Sequence, residues 1–329
     1  MPNVAIVGAT GAVGQEFLKI LAERNFPVEE LRLLATKRSA GKIISWQGTE
    51  LEVQETTHDS FKGIDIALFA GGSSSTEFAH SAVKSGAVVI DNSSAFRLDP
   101  NVPLVVPEVN PGDVSWHKGI IANPNCSTII MVVALKPIFD LAGIKRVVVS
   151  TYQAVSGAGR EGIEELESQL KAWANGEDMV KQVFPYQIAF NLVPRIDVFQ
   201  EGDYTKEEWK MVKETRKIFN VPDMAITATT VRVPVLRSHS ESINIETEKR
   251  VTVQEIRESL SKAPGVIVVD DPVGDSYPMP WFTSDTDEVY VGRIRKDFSI
   301  DNGFNIWVVG DQIRKGAATN AIQIAELLL

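Results

Sequence analysis

Cys126 is the only cysteine among 329 residues, and its neighbours give it the setting of a nucleophile. It stands between a break, Asn123-Pro124-Asn125, and a strongly apolar stretch, 127–142, that reads as a buried helix. A thiol at a helix N-terminus feels the positive end of the aligned peptide dipoles, which lowers its pKa and raises the thiolate fraction. Backbone N–H groups of the same turn can stabilise an oxyanion. A lone cysteine can also be a small, inert core residue, and composition alone leaves that alternative open.

A sulfur nucleophile wants a proton carrier. The chain offers His58, His80, His117 and His239. The first three lie among polar residues in or beside the N-terminal pattern described below, whereas His239 follows two arginines, Arg232 and Arg237. Seven positions separate Arg232 from His239, which puts them on opposite faces of any unbroken strand. A bulge or bend at Pro234 is therefore expected if both serve one site. Two further cations could hold anions. Arg97 closes the run Asn92-Ser93-Ser94-Ala95-Phe96, just past the end of an expected parallel strand, where open α/β sheets place ligands. Lys210 follows Glu207 by three residues on an expected helix, so the two share a face that Glu208 does not. Taken alone, Glu207–Lys210 is a surface salt bridge.

The elements that must position these groups fall into two sets. Residues 4–7 form a short apolar run ending in glycine, followed by helical spacing from Gly14 to Arg24. Strand patterns recur at 31–35, 64–69 and 88–90, with a helix around 77–84, and strands alternating with helices imply parallel βαβ units. Residues 42–55 alternate like an added antiparallel hairpin. The first βα turn carries Gly8, Thr10, Gly11, Ala12, Val13 and Gly14, whose glycines allow a sharp turn and close approach to a pyrophosphate at the helix N-terminus. The second strand runs into Thr36-Lys37-Arg38-Ser39 with no acid for a ribose 2′-hydroxyl. Arg38 and Ser39 suit a 2′-phosphate instead, so the expected cofactor is NADP. Beyond residue 126 come a strand at 147–152, helices at 160–173 and 206–219, a proline-spaced segment at 184–194, and alternating strands through 231–246. The expected fold is α/β: a doubly wound, Rossmann-type dinucleotide-binding domain over 1–125, completed by a C-terminal helix at 313–329, and an α+β catalytic and dimerisation domain over 126–312.

Length supports two domains, and apolar and charged fractions are those of a globular chain. A net charge of −10 disfavours nucleic acid or an anionic membrane as partner. No apolar run reaches the roughly 18 residues of a membrane span. The chain enters its first strand at Val4, which leaves no room for a signal peptide, and one cysteine suits a reducing compartment; a cytoplasmic protein is expected.

Residues 8–14, 123–128, 153–159, 207–210 and 232–240 resemble the aspartate-semialdehyde dehydrogenases, and the resemblance runs over nearly the whole chain. It implies NADPH-dependent conversion of aspartyl phosphate to aspartate semialdehyde and phosphate, on the route to lysine (through diaminopimelate), methionine, threonine and isoleucine. It implies a mechanism and architecture similar to glyceraldehyde-phosphate dehydrogenase, in a homodimer formed through the second domain. Cys126 would carry an acyl thioester, His239 would be the acid/base, and Gln153 would orient the substrate. Arg232 would clamp the substrate carboxylate and Glu207 its amino group, while Arg97, Lys210 and Asn125 would hold phosphate. Gly8, Thr10, Gly11, Ala12, Val13, Arg38 and Ser39 would bind the cofactor, with Ser156, Gly157 and Gln312 near its nicotinamide half. Two alternatives stay open: a related reductase acting on N-acetylglutamyl phosphate, which has no use for Glu207 as an amino-group partner, and a non-catalytic dinucleotide-binding paralogue.

Overall fold

Val4–Val7 (β1) is a run of four apolar residues with no exposed face, the signature of a central parallel strand. In the computed structural model, which describes residues 1–329, it leads through Gly8 into Ala12–Glu23 (α1). There follow Leu31–Ala35 (β2), the hairpin Ile43–Trp46 (β3) and Thr49–Glu52 (β4), then Gln54–Glu55 (β5), Ile66–Phe69 (β6), Ser73–Lys84 (α2), Val88–Asp91 (β7) and Ile120–Ala122 (β8). The sheet order is β5-β2-β1-β6-β7-β8, all parallel. Strand order reverses between β1 and β6, and such a switch point opens a crevice at the strands' C-terminal ends. The expected hairpin at 42–55 is confined to 43–52. Buried Val53 turns the chain back to the core, and residues 54–55 join the edge of the main sheet instead.

The second set begins with Cys126–Ala142 (α3), apolar on every side and buried nearly throughout. Ile144–Gln153 (β9), Arg160–Asn175 (α4), Lys206–Phe219 (α5), Ala225–Arg232 (β10), His239–Thr247 (β11), Val253–Lys262 (α6), Val266–Val268 (β12), Pro280–Thr283 (α7), Val289–Asp297 (β13) and Gly303–Gly310 (β14) complete it. Its mixed sheet has the order β10-β9-β11-β14-β13-β12. The start of α5 is fixed by a capping box: Glu208 N–H donates to Thr205 Oγ1 at 3.3 Å and Thr205 N–H to Glu208 Oε2 at 2.7 Å. Glu208, turned away from Lys210, thus has a structural task, which includes accepting from Thr230 N–H on β10 at 3.0 Å. A π-helical turn at Arg314–Ala318 leads into Thr319–Glu326 (α8). Ile322 and Ala325 of α8 share a core cluster with Phe17 and Leu21 of α1, and Glu326 pairs with Arg24 at 2.7 Å. Contacts divide the chain into one unit of 1–125 with 316–329 and another of 126–315. No helix is long and apolar enough to cross a membrane.

Candidate active site

The separation of Arg232 and His239 is resolved by topology and not by a bulge. They lie on two different strands, β10 and β11, on either side of β9: Arg232 pairs with Gln153, while Ser240 pairs with Tyr152. The intervening residues cross over the C-terminal end of β9, where Val233 N–H donates to the Gln153 carbonyl at 3.0 Å and Val155 N–H to that of Val235 at 2.8 Å. Ser238 completes the crossing in the left-handed region, at φ 71°, where a non-glycine residue needs support. Its N–H donates to Gln312 Oε1 at 2.8 Å, and Gln312 Nε2 donates to Ser156 Oγ. Ser156 and Gln312, expected near the nicotinamide, are therefore hydrogen-bonded to each other and brace the residue before His239.

His239 faces α3. Gly310 is its cross-strand partner, and a Cβ on Gly310 would lie 3.0 Å from Ile130 of α3. The imidazole is fully buried, and the Ala154 N–H donates to its Nδ1 at 3.1 Å. That bond makes Nδ1 the acceptor, so the neutral ring carries its proton on Nε2. Gln153 Nε2 lies 3.4 Å from that nitrogen. Burial, and next the Arg232 charge, hold the His239 pKa well below the ordinary histidine value, so the ring is neutral near pH 7. Glu241, two residues along the same face of β11, is buried with no hydrogen-bond partner for either oxygen. Burial pushes its pKa well up, which favours the uncharged acid.

Gln153 is locked from both ends: Oε1 accepts from Thr151 Oγ1 at 2.9 Å, and Nε2 donates to Glu207 Oε1 at 3.2 Å. Glu207 and Lys210 are not a surface pair, because Glu207 is only 5% exposed and its Oε2 accepts from Lys210 Nζ at 2.9 Å. A tertiary wall against α5 converts an ordinary i,i+3 pair into part of the cluster. Lys210 Nζ also reaches Asp197 Oδ2 at 3.1 Å. Burial works against its charge, but the Glu207 and Asp197 carboxylates outweigh it and raise the Lys210 pKa. The Arg232 guanidinium is 6% exposed, and leaving it there uncompensated would cost roughly several kcal/mol. Its Nη1 donates to the Ala154 carbonyl at 2.6 Å, and the Phe184 ring lies 5.9 Å from its centre. Burial lowers its pKa, while the charges of Glu207 and of the Cys126 sulfur oppose that shift. Cys126 itself, the first residue of α3, is half-buried. Six of the expected groups, Cys126, Gln153, Glu207, Lys210, Arg232 and His239, thus belong to one unit and lie at the ends of α3, β9, β10 and β11 or on the facing turn of α5.

Gly157 sits against this cluster. A Cβ there would come within 2.7 Å of Arg232 Nη1 and 3.2 Å of His239 Cε1. Gly157→Ala should therefore push the guanidinium or the imidazole aside and lower kcat/KM about 10²-fold, since displacements near 1 Å carry such losses. Steady-state kinetics on a variant with an unchanged melting curve check this; a loss under threefold would contradict it.

In the other unit, Gly8 takes φ +87°, and a Cβ on Gly14 would meet the Gly8 carbonyl and come within 2.7 Å of Ala9 Cα. The turn is thus bare backbone, with Gly11 at the N-cap of α1 and Ala12 and Val13 in its first turn. Such a cradle fits a dinucleotide pyrophosphate, whose charge the helix N-terminus favours. Thr10 Oγ1 donates to buried Ser39 Oγ at 3.3 Å, tying this turn to the end of β2, while Arg38 beside it is exposed. A cavity of about 240 Å³ is lined by Gly8, Thr36, Lys37, Ser73, Ser74 and Phe78 among others, so Lys37 fronts it as well. Arg97 is 7% exposed and spends Nε on the Asn123 carbonyl (2.9 Å) and Nη2 on that of Asn92 (2.7 Å), clamping the ends of β7 and β8. Asn125, also buried, closes the same unit.

Asp197 and Ala154 carry no sequence signal that marks them. Asp197 is a loop residue at φ 69°, and Ala154 acts through its backbone. Lys37 could have been noted from its place beside Arg38.

Two family models match the chain: the semialdehyde dehydrogenase NAD-binding domain over residues 3–117, and the semialdehyde dehydrogenase dimerisation domain over 135–315. The aspartate-semialdehyde dehydrogenase of Aquifex aeolicus is 63% identical over 99% of this chain and 98% of its own. A crystal structure of aspartate semialdehyde dehydrogenase II from Vibrio cholerae complexed with ASA superposes with a TM-score of 0.97, at 48% identity, covering 100% of this chain and 98% of that one. One of the Candida albicans enzyme with NADP superposes at 0.76, with 28% identity and coverage of 100% and 98%. With a buried neutral histidine, a half-buried thiol and a glycine cradle already in place, this chain belongs to the aspartate-semialdehyde dehydrogenase family.

Proposed function

We infer that this protein reduces aspartyl phosphate to aspartate semialdehyde, releasing phosphate, and that the cofactor is NADPH. The carrying observation is the cluster at the end of β9, where a neutral imidazole, a buried guanidinium under the influence of the Cys126 sulfur, and a buried Glu207–Lys210 pair belong to one unit. The Cys126 thiolate attacks the acyl carbon; the carbon–sulfur bond forms as the carbon–oxygen bond to phosphate breaks, leaving a thioester on the enzyme. When bound, the nicotinamide supplies the hydride that reduces this thioester carbon. His239 donates a hydrogen bond from Nε2–H to the developing alkoxide and keeps its proton; as the carbon–oxygen double bond re-forms, the carbon–sulfur bond breaks and its electron pair returns to Cys126 as the thiolate. Gln153 orients the acyl group, Arg232 pairs with the substrate carboxylate and Glu207 with its amino group. Arg97, Lys210 and Asn125 receive the phosphate.

The preference for NADP rests on Arg38 and Ser39 at the end of β2, with no acid there to hold a ribose hydroxyl. The NADP reported with the Candida albicans relative agrees with it. The dimerisation-domain match supports a homodimer built on the second unit. Glu207, buried and already bonded to one cation, disfavours an N-acetylated substrate, which offers it no ammonium group. Phosphate-dependent reduction of NADP by aspartate semialdehyde, set beside N-acetylglutamate semialdehyde, tests the assignment. The free-amino substrate should be favoured by at least about 10³ in kcat/KM, the scale on which an unpaired buried polar group penalises a wrong substrate. Equal rates, or a preference for the acetylated aldehyde, would overturn it.

A further inference from the structure

Lys210 does not face its cavity directly. A cavity of about 510 Å³ is walled by Arg232, Phe184, Arg195 and Asp197 among others, and Lys210 is not part of that wall. Asp197 fronts the cavity and at the same time bonds the Lys210 ammonium, at 3.1 Å from Oδ2. Its backbone is held in the left-handed region at φ 69°, with Oδ1 accepting from Val198 N–H at 2.9 Å and its carbonyl from Arg195 Nε at 3.3 Å. The same loop is tied to the start of α5, where Lys206 N–H donates to the Val198 carbonyl at 2.8 Å. Several contacts thus aim one carboxylate at one ammonium from the cavity side.

We propose that Asp197 is a specificity-determining gate: its carboxylate holds Lys210, and the phosphate group of substrate or product must displace it to reach the ammonium. This rests on the reading of Lys210 as a phosphate ligand given above. Glu207 and Asp197 set two negative charges among the positive ones of Lys210, Arg232 and Arg195, and so weaken the attraction for a phosphate dianion. Weak holding suits a reaction that must release phosphate in every turnover. Removing the Asp197 charge makes the cluster one unit more positive. Lys210 stays in place, because Glu207 still holds it at 2.9 Å from the same helix.

Asp197→Asn isolates that charge. Asparagine tolerates the left-handed backbone and retains an oxygen that can accept from Lys210. In phosphate-dependent oxidation of aspartate semialdehyde, the KM for phosphate should fall about three- to tenfold, as expected for loss of one like charge at a partly screened site. The KM for aldehyde should move much less, a split that general damage to the fold would not produce. The variant's advantage should shrink as ionic strength rises. In parallel, phosphate should protect Cys126 from alkylation at lower concentration in the variant than in the wild type, a comparison that needs no turnover. An unchanged or raised phosphate KM together with unchanged protection would overturn the gate while leaving the parent reading intact. Absence of any phosphate dependence in the wild type would overturn both.

Discussion

Cys126→Ser is expected to reduce turnover by roughly 10⁴-fold or more, with the fold and cofactor binding preserved, because loss of a covalent nucleophile disables the whole reacting unit. A serine hydroxyl is hardly ionised near neutral pH and would need a base to take its proton. His239 cannot serve in its resting state, since Nδ1 already accepts from Ala154 N–H and Nε2 carries a proton. Structurally the change is small. The side chain is half-buried at the first residue of α3, and the helix is anchored further along by Ile129, Ile130, Val133 and Leu135, all fully or almost fully buried. A stability change within about 1 kcal/mol is therefore expected. Initial rates and thermal melting, measured together, check both halves; serine turnover within tenfold of wild type would contradict the assignment.

The second large effect concerns His239. Replacing it with asparagine removes the imidazole Nε2–H that faces the developing alkoxide and should lower kcat by roughly 10²- to 10³-fold, the range for loss of one donor to an oxyanion. The pH dependence of the wild type carries the sign. Burial and Arg232 hold the His239 pKa below the ordinary value, so the ring stays neutral as pH falls toward that value. The rate should hold level from pH 8 to about 6.5, the unperturbed histidine pKa, with loss from imidazole protonation beginning only below it. A His239-dependent fall centred above pH 6.5, absent from the asparagine variant, would show the ring in a different electrostatic setting.

Local chemistry was legible in the sequence where it depends on neighbours along the chain. Helix 206–219 could be bounded to the residue because its first turn is charged and its apolar face regular, and the capping box at Thr205 and Glu208 explains why it starts there. The glycine turn at 8–14 and the start of α3 at Cys126 followed from breaks and periodicity. What could not be read is which strands pair. Arg232 and His239 look like one interrupted strand, yet β9, almost 80 residues upstream, runs between them. Sheet order is decided by tertiary packing, and a period of two residues carries no record of it. Likewise Glu207–Lys210 has the sequence of a solvated ion pair, yet Glu207 is buried and the pair is bonded to Gln153 and Asp197. Strand β13 breaks register between Gly292 and Arg295, which disturbs the alternation that would otherwise announce it.

The most direct test is mass spectrometry of the enzyme after exposure to aspartate semialdehyde and NADP without phosphate, with the sites of modification mapped by peptide. The Cys126 peptide should gain the mass of an aspartyl acyl group and lose it on addition of phosphate. Turnover with no acyl adduct on Cys126, or with one on another residue, would contradict a thioester at this sulfur.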